Sequence, residues 1–513
     1  MATHPRIVVD IVNDNQDPLS EQILDATVRQ EVKGFGFPIL YGKVENIYGI
    51  NADWFSILIR TGVAKYRVQD PEKKTGEGMY LDEYIAKYSE SIRLKIKIGF
   101  YPDYVERIHG YIHEISYVTG SGGRMMKVSG GDICYHFNKI YVGDYMLQLD
   151  ANARKWQDPK SKEYAFADKS RIYILQKILG LRKKEEMAVL IGKNQLQSFG
   201  TSTTTNPSYS KLDLSSPYKS QQISNPLLGG DPYVEYQGTG FRVLVAKTAT
   251  VNEPLYGETK AIKNELANPN AAKYYQINNQ TLLEVLDDIC FRSGWVATVM
   301  KPGTIISNVP VILITDVWKK RKPNVSIKTI APSIIDEEES WVKFTKMTHF
   351  DDGLKIGINY WDWQYAVTHN TTIDNQVKNC RRGKAQWFGN NKPDVAIQAY
   401  IDYENVNVEA ANRRAYMAIN RLVTQRITVS GGLTPDPTLF PGDEVTFKDY
   451  GPFSDQYMIT AVTCNVGQKG FSMQFSARLP DLIVCENEAS INKDNEYDRF
   501  KKVLCGKYAQ KED

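Results

Sequence analysis

The chain lacks the features that mark secreted or membrane-spanning proteins. Six cysteines are scattered through 513 residues without a CxxC pair, which predicts reduced, mostly buried thiols in a protein made in a cytoplasm. The first ten residues contain no basic segment followed by an apolar one, so we expect no secretory signal. The longest apolar stretch, near Val309–Ile314, is far shorter than the roughly 20 residues that a membrane-spanning helix needs.

Neither sign of charge dominates. Lysine and arginine number 63 and aspartate and glutamate 60, which gives a net charge of +3 and no indication of a nucleic-acid or membrane partner. Hydrophobic residues at 42% and charged residues at 24% are ordinary for a globular protein. At roughly 150 residues per domain, the length predicts about three to four domains. The 31 tyrosines are typical of a β-rich protein with extensive interfaces.

Residues 1–131 are predicted to form a first β-barrel domain. Leu94–Ile98 (LKIKI) alternates apolar and basic residues, the pattern of a strand with one buried face. Arg107–Tyr117 continues the alternation, and the GSGG turn from Gly120 to Gly123 predicts a hairpin.

The next two segments differ from the first in composition. Residues 132–194 contain helix-forming stretches such as Ser170–Gly192, and we predict a helical insertion there. Residues 195–240 are rich in serine, threonine, proline, glutamine and glycine. Such a segment buries too little apolar surface to offset its ordering entropy, so we expect a linker or long loop.

Residues 241–339 carry the clearest local signal and are predicted to form an α/β middle domain. Thr281–Glu284 (TLLE) has the sequence of a capping box, in which the threonine and glutamate side chains satisfy the first N–H groups of a helix. Apolar residues then recur at helical spacing up to Gly294, a typical C-terminal stop. Strands are predicted at Trp295–Met300 and Val309–Ile314.

Residues 340–482 return to strand patterns and are predicted to form a second β-barrel domain. The predicted strands are Val342–Thr348, Leu354–Asn359, Ala396–Tyr400, Glu444–Phe447, Gln456–Val462 and Phe471–Arg478. One helix is predicted between them, with Ala411 and Ala415 on its apolar stripe. Small residues there would let the helix axis lie close to a sheet. Residues 483–513 are predicted to be a polar C-terminal extension.

The predicted fold class is α+β, mainly β, with two similar antiparallel β-barrel-like domains flanking inserted α/β and helical domains. The similarity of the two ends is visible at a spacing of 347 positions (Gly120 to Gly467), where six of the thirty residues from 100 to 129 are identical to their counterparts. Such a repeat predicts two copies of one structural unit. We expect the structural packing to depend on the matching pairs Ile112 and Ile459, Gly120 and Gly467, and Gly123 and Gly470, together with Ala411 and Ala415.

Several stretches resemble a known family. Ile98–Ile115, with GFY and IHGYI within it, resembles the first barrel of the tail hub proteins, the baseplate hub and late control D proteins of contractile-tailed phages. That family is related to the hub part of type VI spike proteins. Thr281–Met300 resembles its middle domain, and Leu439–Asp443 (LFPGD) and Gln456–Val462 (QYMITAV) resemble its second barrel. The similarity is spread over about half the chain, and residues 132–240 exceed the usual family pattern.

The resemblance implies an assembly role rather than an enzymatic one. Two related barrels per chain in a homotrimer would make a ring of six, which adapts a six-fold tail tube to a three-fold central spike. The implied partners are the chain itself, a central spike protein and a tail tube protein, with tape measure and baseplate wedge proteins as further candidates. DNA would pass only in transit, and neither a cofactor nor direct membrane insertion is implied. The implied location is the tail baseplate of a virion, assembled in the host bacterial cytoplasm.

The histidines and cysteines offer little catalytic chemistry. His109 and His113 are four residues apart and precede Glu114, but zinc ligands at that spacing need a helix. In the predicted strand the two histidines would lie roughly 13 Å apart. Cys134 and His136 would diverge on a helix, which predicts a buried thiol and a surface imidazole. The glycine-rich stretches match neither GxGxxG nor a phosphate-binding loop.

Charged clusters are also expected to be structural. Lys319–Lys322 and Arg381–Arg382 could contact phosphates, but the balanced net charge favours a solvated face or a partner ion pair. Glu337–Glu339 is predicted to be an exposed loop. We therefore predict no catalytic, cofactor or metal site. The alternatives left open are a tail-associated peptidoglycan-degrading enzyme, a tail-tip hub of a non-contractile phage and a monomeric sugar-binding β-protein.

Overall fold

The computed structural model describes these residues: 5–13, 39–62, 67–69, 78–100, 103–120, 123–142, 165–166, 170–183, 233–238, 241–246, 275–277, 280–301, 310–316, 328–331, 341–347, 354–361, 380–387, 397–401, 417, 420–422, 424–467, 470–481, 483–485 and 503–505. Ala411, Ala415, Lys319–Lys322 and Glu337–Glu339 lie outside them. In the part of the chain that is described, no helix has both the length and the apolar character needed to cross a membrane.

Strands dominate the described residues and are numbered in chain order. The N-terminal part contains β1 (Pro5–Asn13), β2 (Ile39–Ile47), β3 (Trp54–Arg60), β4 (Arg67–Gln69), β5 (Gly78–Tyr80), β6 (Ile92–Phe100), β7 (Asp103–Gly120), β8 (Gly123–Gly131), β9 (Tyr141–Val142), β10 (Ala165–Phe166) and β11 (Arg182–Lys183). The central part contains β12 (Tyr233–Gly238), β13 (Phe241–Ala246), β14 (Tyr275–Gln276), β15 (Gln280–Thr281), β16 (Trp295–Val299), β17 (Val311–Asp316) and β18 (Lys328–Ile330).

The C-terminal part contains β19 (Trp341–Lys346), β20 (Leu354–Trp361), β21 (Cys380–Trp387), β22 (Ile397–Ile401), β23 (Ile427–Leu433), β24 (Glu444–Phe447), β25 (Gln456–Gly467), β26 (Gly470–Arg478), β27 (Ile483–Cys485) and β28 (Val503–Cys505). The helices include α1 (Leu81–Tyr88), α2 (Ile133–Phe137), α3 (Arg171–Leu179) and α4 (Leu282–Ser293), together with a short 3-10 helix at Gly451–Phe453. Residues 417, 420–422 and 424 are also helical. The mainly β class is confirmed. The strands predicted in residues 340–482 are confirmed by β19, β20, β22, β24, β25 and β26.

Twelve strands form one continuous sheet. Its order is β1-β6-β7-β8-β3-β2-β25-β26-β23-β19, and β18 joins through β24, which pairs with β25. Within the described residues no sheet closes into a barrel, so two separate barrels are not confirmed. The two β-rich ends instead share one sheet and one hydrophobic core, to which Phe55 and Val128 contribute from one end and Val462 and Phe475 from the other.

The large sheet consists of two six-stranded units with the same strand order. The first unit is β1-β6-β7-β8-β3-β2, and the second unit is β18-β24-β25-β26-β23-β19. Counted along the chain, both units follow the spatial order first, fourth, fifth, sixth, third, second. They differ at one end, because β1 pairs antiparallel with β6 whereas β18 pairs parallel with β24.

The described residues contain two five-stranded sheets, one of which has the order β22-β20-β21-β28-β27. The other is covered by helices and is the one called the five-stranded sheet below. Its strand order is β11-β12-β13-β17-β16, and β13, the middle strand, is buried along its whole length. α2, α3 and α4 pack into the same core as this sheet, where Phe137 of α2 meets Phe241 edge to face at 5.1 Å between ring centroids. Residues from 132–194 and from 241–339 therefore contribute to one core.

The capping box and the two strands predicted around α4 are confirmed. The Thr281 hydroxyl accepts from the Glu284 N–H at 3.2 Å, and the Thr281 N–H donates to the Glu284 carboxylate at 2.8 Å. Gly294 ends the helix with φ +69°, a backbone angle that favours glycine. The two strands predicted after the helix are β16 and β17, which pair antiparallel with each other.

The prediction that Leu94–Ile98 has only one buried face is wrong. Along β6, Arg93 and Lys95 are buried like most of the apolar side chains, at 1% and 7% exposed, and Lys97 is half-buried. Arg93 lies 5.4 Å from the ring centroid of Tyr111, on which His136 of α2 stacks. The face expected to meet water is therefore covered, because long basic side chains can bury their aliphatic stems.

Candidate assembly site: the joint between the two units

The two hairpins that the sequence repeat relates have the same register. In the first, Ile112 pairs with Gly130, a bulge follows, and Gly120 pairs with Gly123 at the turn. In the second, Ile459 pairs with Ala477, a bulge follows at the same place, and Gly467 pairs with Gly470. Gly123 and Gly470 both have positive φ, at +95° and +111°. Residues 347 positions apart in the sequence therefore occupy equivalent positions in the two hairpins. The bulge is also at the same place in both, although no sequence motif predicts it.

The two units are joined edge to edge by one pair of strands. β2, the last strand of the first unit, pairs antiparallel with β25 of the second, from Gly42 opposite Val466 to Ile47 opposite Ala461. The Tyr41 hydroxyl donates to the Asn465 side chain at 3.0 Å. A Cβ on Gly467 would lie 3.0 Å from the Tyr41 ring, so the glycine makes room for this aromatic side chain. We call this strand pair the internal joint.

Arg107 of β7 supplies a buried cation at the same boundary. Its guanidinium donates to the carbonyl oxygens of Leu439 at 2.7 Å and Pro437 at 3.0 Å, both in the second unit, and to the Asn46 side chain at 3.1 Å. It also lies 3.9 Å from the ring centroid of Phe440, within the range of a cation–π contact. Burial lowers the pKa of Arg107, but an arginine side chain stays protonated in proteins.

Two acidic residues, Asp53 and Asp132, extend the polar cluster, and the Asn46 side chain connects Arg107 to the first of them. Asp53 accepts hydrogen bonds from the Asn46 side chain at 2.7 Å and the Ile47 N–H at 2.6 Å. Burial raises the pKa of Asp53 to about 7, against the lowering effect of those hydrogen bonds and of the Arg107 charge. Asp132, the N-cap of α2, accepts from the Tyr135 N–H at 2.9 Å.

The pKa of Asp132 is raised well above its ordinary value, first by burial and then by the nearby charge of Asp53. A backbone hydrogen bond of 3.1 Å from the Asp132 N–H to the Asp53 carbonyl oxygen holds the two residues together. Because burial raises the pKa of both carboxyl groups and the charge of Asp53 further disfavours ionisation of Asp132, the pair carries less than its full negative charge near neutral pH.

The five-stranded sheet is tied to the same loop of the second unit. We call Asp436–Asp443 the junction loop. The Lys301 ammonium, just after β16, donates to the Thr438 carbonyl oxygen at 2.9 Å and lies 3.5 Å from the Asp443 carboxylate. It is also 4.5 Å from the ring centroid of Phe440. The junction loop therefore lies between two cations, one from the first unit and one from the five-stranded sheet.

The histidines and the cysteine considered for catalysis occupy structural positions. His109 is buried in β7, and burial, with the charges of Arg93 and Lys95, puts its pKa well below the ordinary value. Partial burial lowers the pKa of His113 to about 4. Burial raises the pKa of the Cys134 thiol well above its ordinary value, which keeps the thiol protonated and a poor nucleophile.

One prediction about this cluster is wrong. His136 is half-buried rather than on the surface, because its ring stacks on Tyr111 at 4.7 Å between centroids. His109 and His113 lie in β7, so the predicted strand at this pair is confirmed. In the described parts of the chain, no group of three or more histidine, cysteine, aspartate or glutamate side chains is placed to hold a metal ion.

The sequence did not point to Arg107, Asp53 or Lys301. Arg107 stands in an ordinary alternating strand pattern, and the groups it contacts are about 330 positions away in the chain. Among the residues of this site, sequence patterns point to the glycines of the hairpin turns, because the GSGG sequence and the repeat both include them.

A scan against protein-family models found no match for the chain. A search of curated proteins likewise found no match.

Solved structures that match the chain include tail and type VI secretion proteins. A tail protein of Neisseria meningitidis MC58 is 9% identical, with a TM-score of 0.44 over 92% of this chain and 96% of that one. The 43 kDa tail protein of prophage MuSo2 of Shewanella oneidensis is 11% identical, with a TM-score of 0.45 over 93% and 99%.

A type VI secretion system component of E. coli is 8% identical, with a TM-score of 0.40 over 87% of this chain and 74% of that one. At these identities and TM-scores, the structural similarity does not assign a function to the chain. A functional proposal therefore depends on the joint between the two units.

Proposed function

We propose that the chain is a structural hub of a phage-type tail baseplate. Three copies would form a ring of six similar β-units that adapts a six-fold tail tube to a three-fold central spike. A single observation carries this proposal: the two six-stranded units share one strand order and are joined edge to edge by the internal joint. We also propose the domain boundaries and the structural packing residues that the sequence analysis predicts.

The symmetry of a ring explains why a repeated unit would be useful. A ring of identical chains closes through heterologous contacts, in which one surface of each copy meets a different surface of the next. When each chain carries two equivalent units, three chains present six similar contact surfaces to a partner. The same three chains present three identical surfaces on any part of the chain that is not repeated, such as the five-stranded sheet.

The buried polar groups at the joint fit a load-bearing role. Arg107 and Lys301 bind the junction loop from two different parts of the chain. Relative movement of those parts would break the buried Arg107 hydrogen bonds, which water cannot readily replace. We propose that these contacts keep the units in a fixed relation under the load that a spike transmits to a tube. The proposed partners are the chain itself, a central spike protein and a tail tube protein, and the proposed location is the tail baseplate of a virion.

The solution mass of the purified full chain tests this proposal. A trimer of about 175 kDa, three times the chain mass of 58.3 kDa, is expected, and it should shift further when a candidate spike protein is added. A chain that stays at 58.3 kDa at every concentration, with and without the spike protein, would overturn the proposal. A zymogram with peptidoglycan provides an independent check, since clearing would favour the enzymatic alternative.

A further inference from the structure

The internal joint covers a strand edge in the second unit whose equivalent in the first unit is covered by no strand in the described parts of the chain. On β25, the edge opposite β26 is covered by β24 at Gln456 to Met458 and by β2 at Ala461 to Val466. On β7, the edge opposite β8 is covered by β6 as far as Tyr111. Among the described residues, no strand pairs with the remaining part of that edge, Glu114–Thr119. By the 347-residue spacing, this segment is equivalent to Ala461–Val466.

Side-chain burial shows the same asymmetry. Val462 and Cys464, which β2 helps to cover, are both 0% exposed. Their equivalents in the first unit are Ile115, which is half-buried, and Tyr117, which is 53% exposed although it pairs with the fully buried Met126. The hydrophobic core is thus closed at this edge in one unit and open at the equivalent edge in the other.

β19 offers the complementary edge. It pairs with β23 as β2 pairs with β3: Lys343 lies opposite Ser430, and Lys43 lies opposite Ser56. Ser430 and Ser56 in turn pair with the equivalent residues Ser476 and Ser129. β19 is therefore the counterpart of β2 in the second unit.

The free side of β19 is as exposed as the open edge of β7. β2 uses its other side to pair with β25, whereas in the described residues β19 has only the one partner strand, β23. Trp341, the counterpart of Tyr41, is 49% exposed. Phe344, the counterpart of the fully buried Val44, is only half-buried although it stacks on Phe453.

We propose that β19 of one copy pairs antiparallel with Glu114–Thr119 of the next copy and so repeats the internal joint between chains. The register follows from the internal joint. Lys343 would lie opposite Val118, as Lys43 lies opposite Asn465, and Trp341 would lie over Gly120 as Tyr41 lies over Gly467. This inference rests on the proposed hub, for which it identifies the surface that joins the copies.

A second copy of the chain is the occupant that the geometry favours. The two open edges belong to one chain and carry the counterparts of strands that already pair within it, but among the described residues they do not pair with each other. The contact is heterologous, as ring closure requires. It would also cover unpaired strand edges and exposed aromatic side chains, both of which favour association.

A disulfide between the two edges tests the proposal in the full chain. The double variant Lys343→Cys/Val118→Cys places cysteines on two exposed positions that the proposed register brings opposite each other. Opposite residues in an antiparallel pair have Cα atoms about 4.5–5.5 Å apart, within the range that a disulfide spans. After mild oxidation, we expect covalent species that end at about 175 kDa on a non-reducing gel and disappear with reductant.

Two matched variants control this experiment. Lys43→Cys/Asn465→Cys places cysteines at the equivalent positions of the internal joint, which pair within the chain, and should form a disulfide without a change in mass. Lys343→Cys/Lys127→Cys uses an exposed position on β8, one strand further away. Its two Cα atoms would lie roughly 12 Å apart, since they are separated by two strand spacings and offset by two residues, so it should stay unlinked.

The outcomes separate this proposal from the proposed function. A native trimer without the Lys343→Cys/Val118→Cys link would overturn the pairing and leave the hub intact, whereas a native monomer without the link would overturn both. Covalent linkage that stops at the dimer after complete oxidation, a ladder beyond the trimer or an internal link at the mass of one chain would each contradict the ring. Hydrogen exchange adds a measurement without substitutions: residues 114–119 should be as protected in the native trimer as residues 461–466, and fast exchange of 114–119 there would count against the pairing.

Discussion

Replacing Arg107 with alanine removes the buried cation that connects the first unit to the junction loop. The Leu439 and Pro437 carbonyl oxygens would lose donors at 2.7 and 3.0 Å, and the Asn46 side chain would lose one at 3.1 Å. Water cannot easily replace these donors, because Arg107 is only 1% exposed. The half-buried Asp53 would also lose the positive charge that favours its ionised form.

The expected loss in the free energy of unfolding is about 3–5 kcal/mol. Hydrogen bonds from charged groups contribute roughly 1.5–3 kcal/mol each, and removing one member of a buried charged network costs about 3–5 kcal/mol. The sum of the individual bonds would exceed this range, but the variant also no longer has to bury a guanidinium, which offsets part of the loss.

Urea unfolding at a fixed protein concentration measures the effect, with tryptophan fluorescence and circular dichroism as two probes. The concentration is fixed because association would itself raise the stability. Arg421→Ala is the matched control. That arginine also forms an ion pair, with Asp287 at 3.1 Å, but both side chains are about half exposed, and such pairs contribute about 0–1 kcal/mol. If Arg107→Ala lost no more stability than Arg421→Ala, the buried cation could not be holding the two units together.

Three further predictions concern single positions. Because the pKa of Asp53 is about 7 in the folded chain and 3.8 ordinarily, its ionisation destabilises the fold as the pH rises from about 4 to 7. The free energy of unfolding should therefore fall less between pH 4 and 7 in Asp53→Asn than in the wild type, by up to about 4 kcal/mol. The same pH profile for both proteins in urea unfolding would contradict this. Thr281→Ala should lower stability by about 1 kcal/mol through loss of the N-cap, while Thr281→Ser should restore it. Gly123→Ala and Gly470→Ala should each cost about 1–3 kcal/mol from strain at positive φ, and clearly unequal thermal shifts would argue against the equivalence of the two turns.

Local features of the fold were predictable because short stretches of sequence specify them. The TLLE sequence at Thr281 and the glycine at Gly294 determine where α4 begins and ends, independently of the rest of the chain. The same holds for the hairpin at Gly120, where the turn glycines fix which residues can pair. Here the interaction partners are a few positions apart, so their spacing is visible in the sequence.

The joint between the units could not be predicted in this way. Gly42 and Val466 pair across most of the length of the chain, and either strand edge would look the same with another partner. Burial of Lys95 contradicts the expected solvent-facing side of β6, since alternation shows which residues share a face but not what covers it. For Arg107, the sequence shows a basic residue in a strand, while its role comes from backbone carbonyl groups that leave no pattern in the sequence.

End-on images of the purified full chain by electron cryomicroscopy test the ring of six units most directly. We expect particles with three-fold symmetry in which six similar β-units alternate around a central channel, each chain contributing two neighbouring units joined through β2 and β25. Single chains in the images, or a two-fold dimer in which the same edge of each copy meets its twin, would contradict the proposed ring.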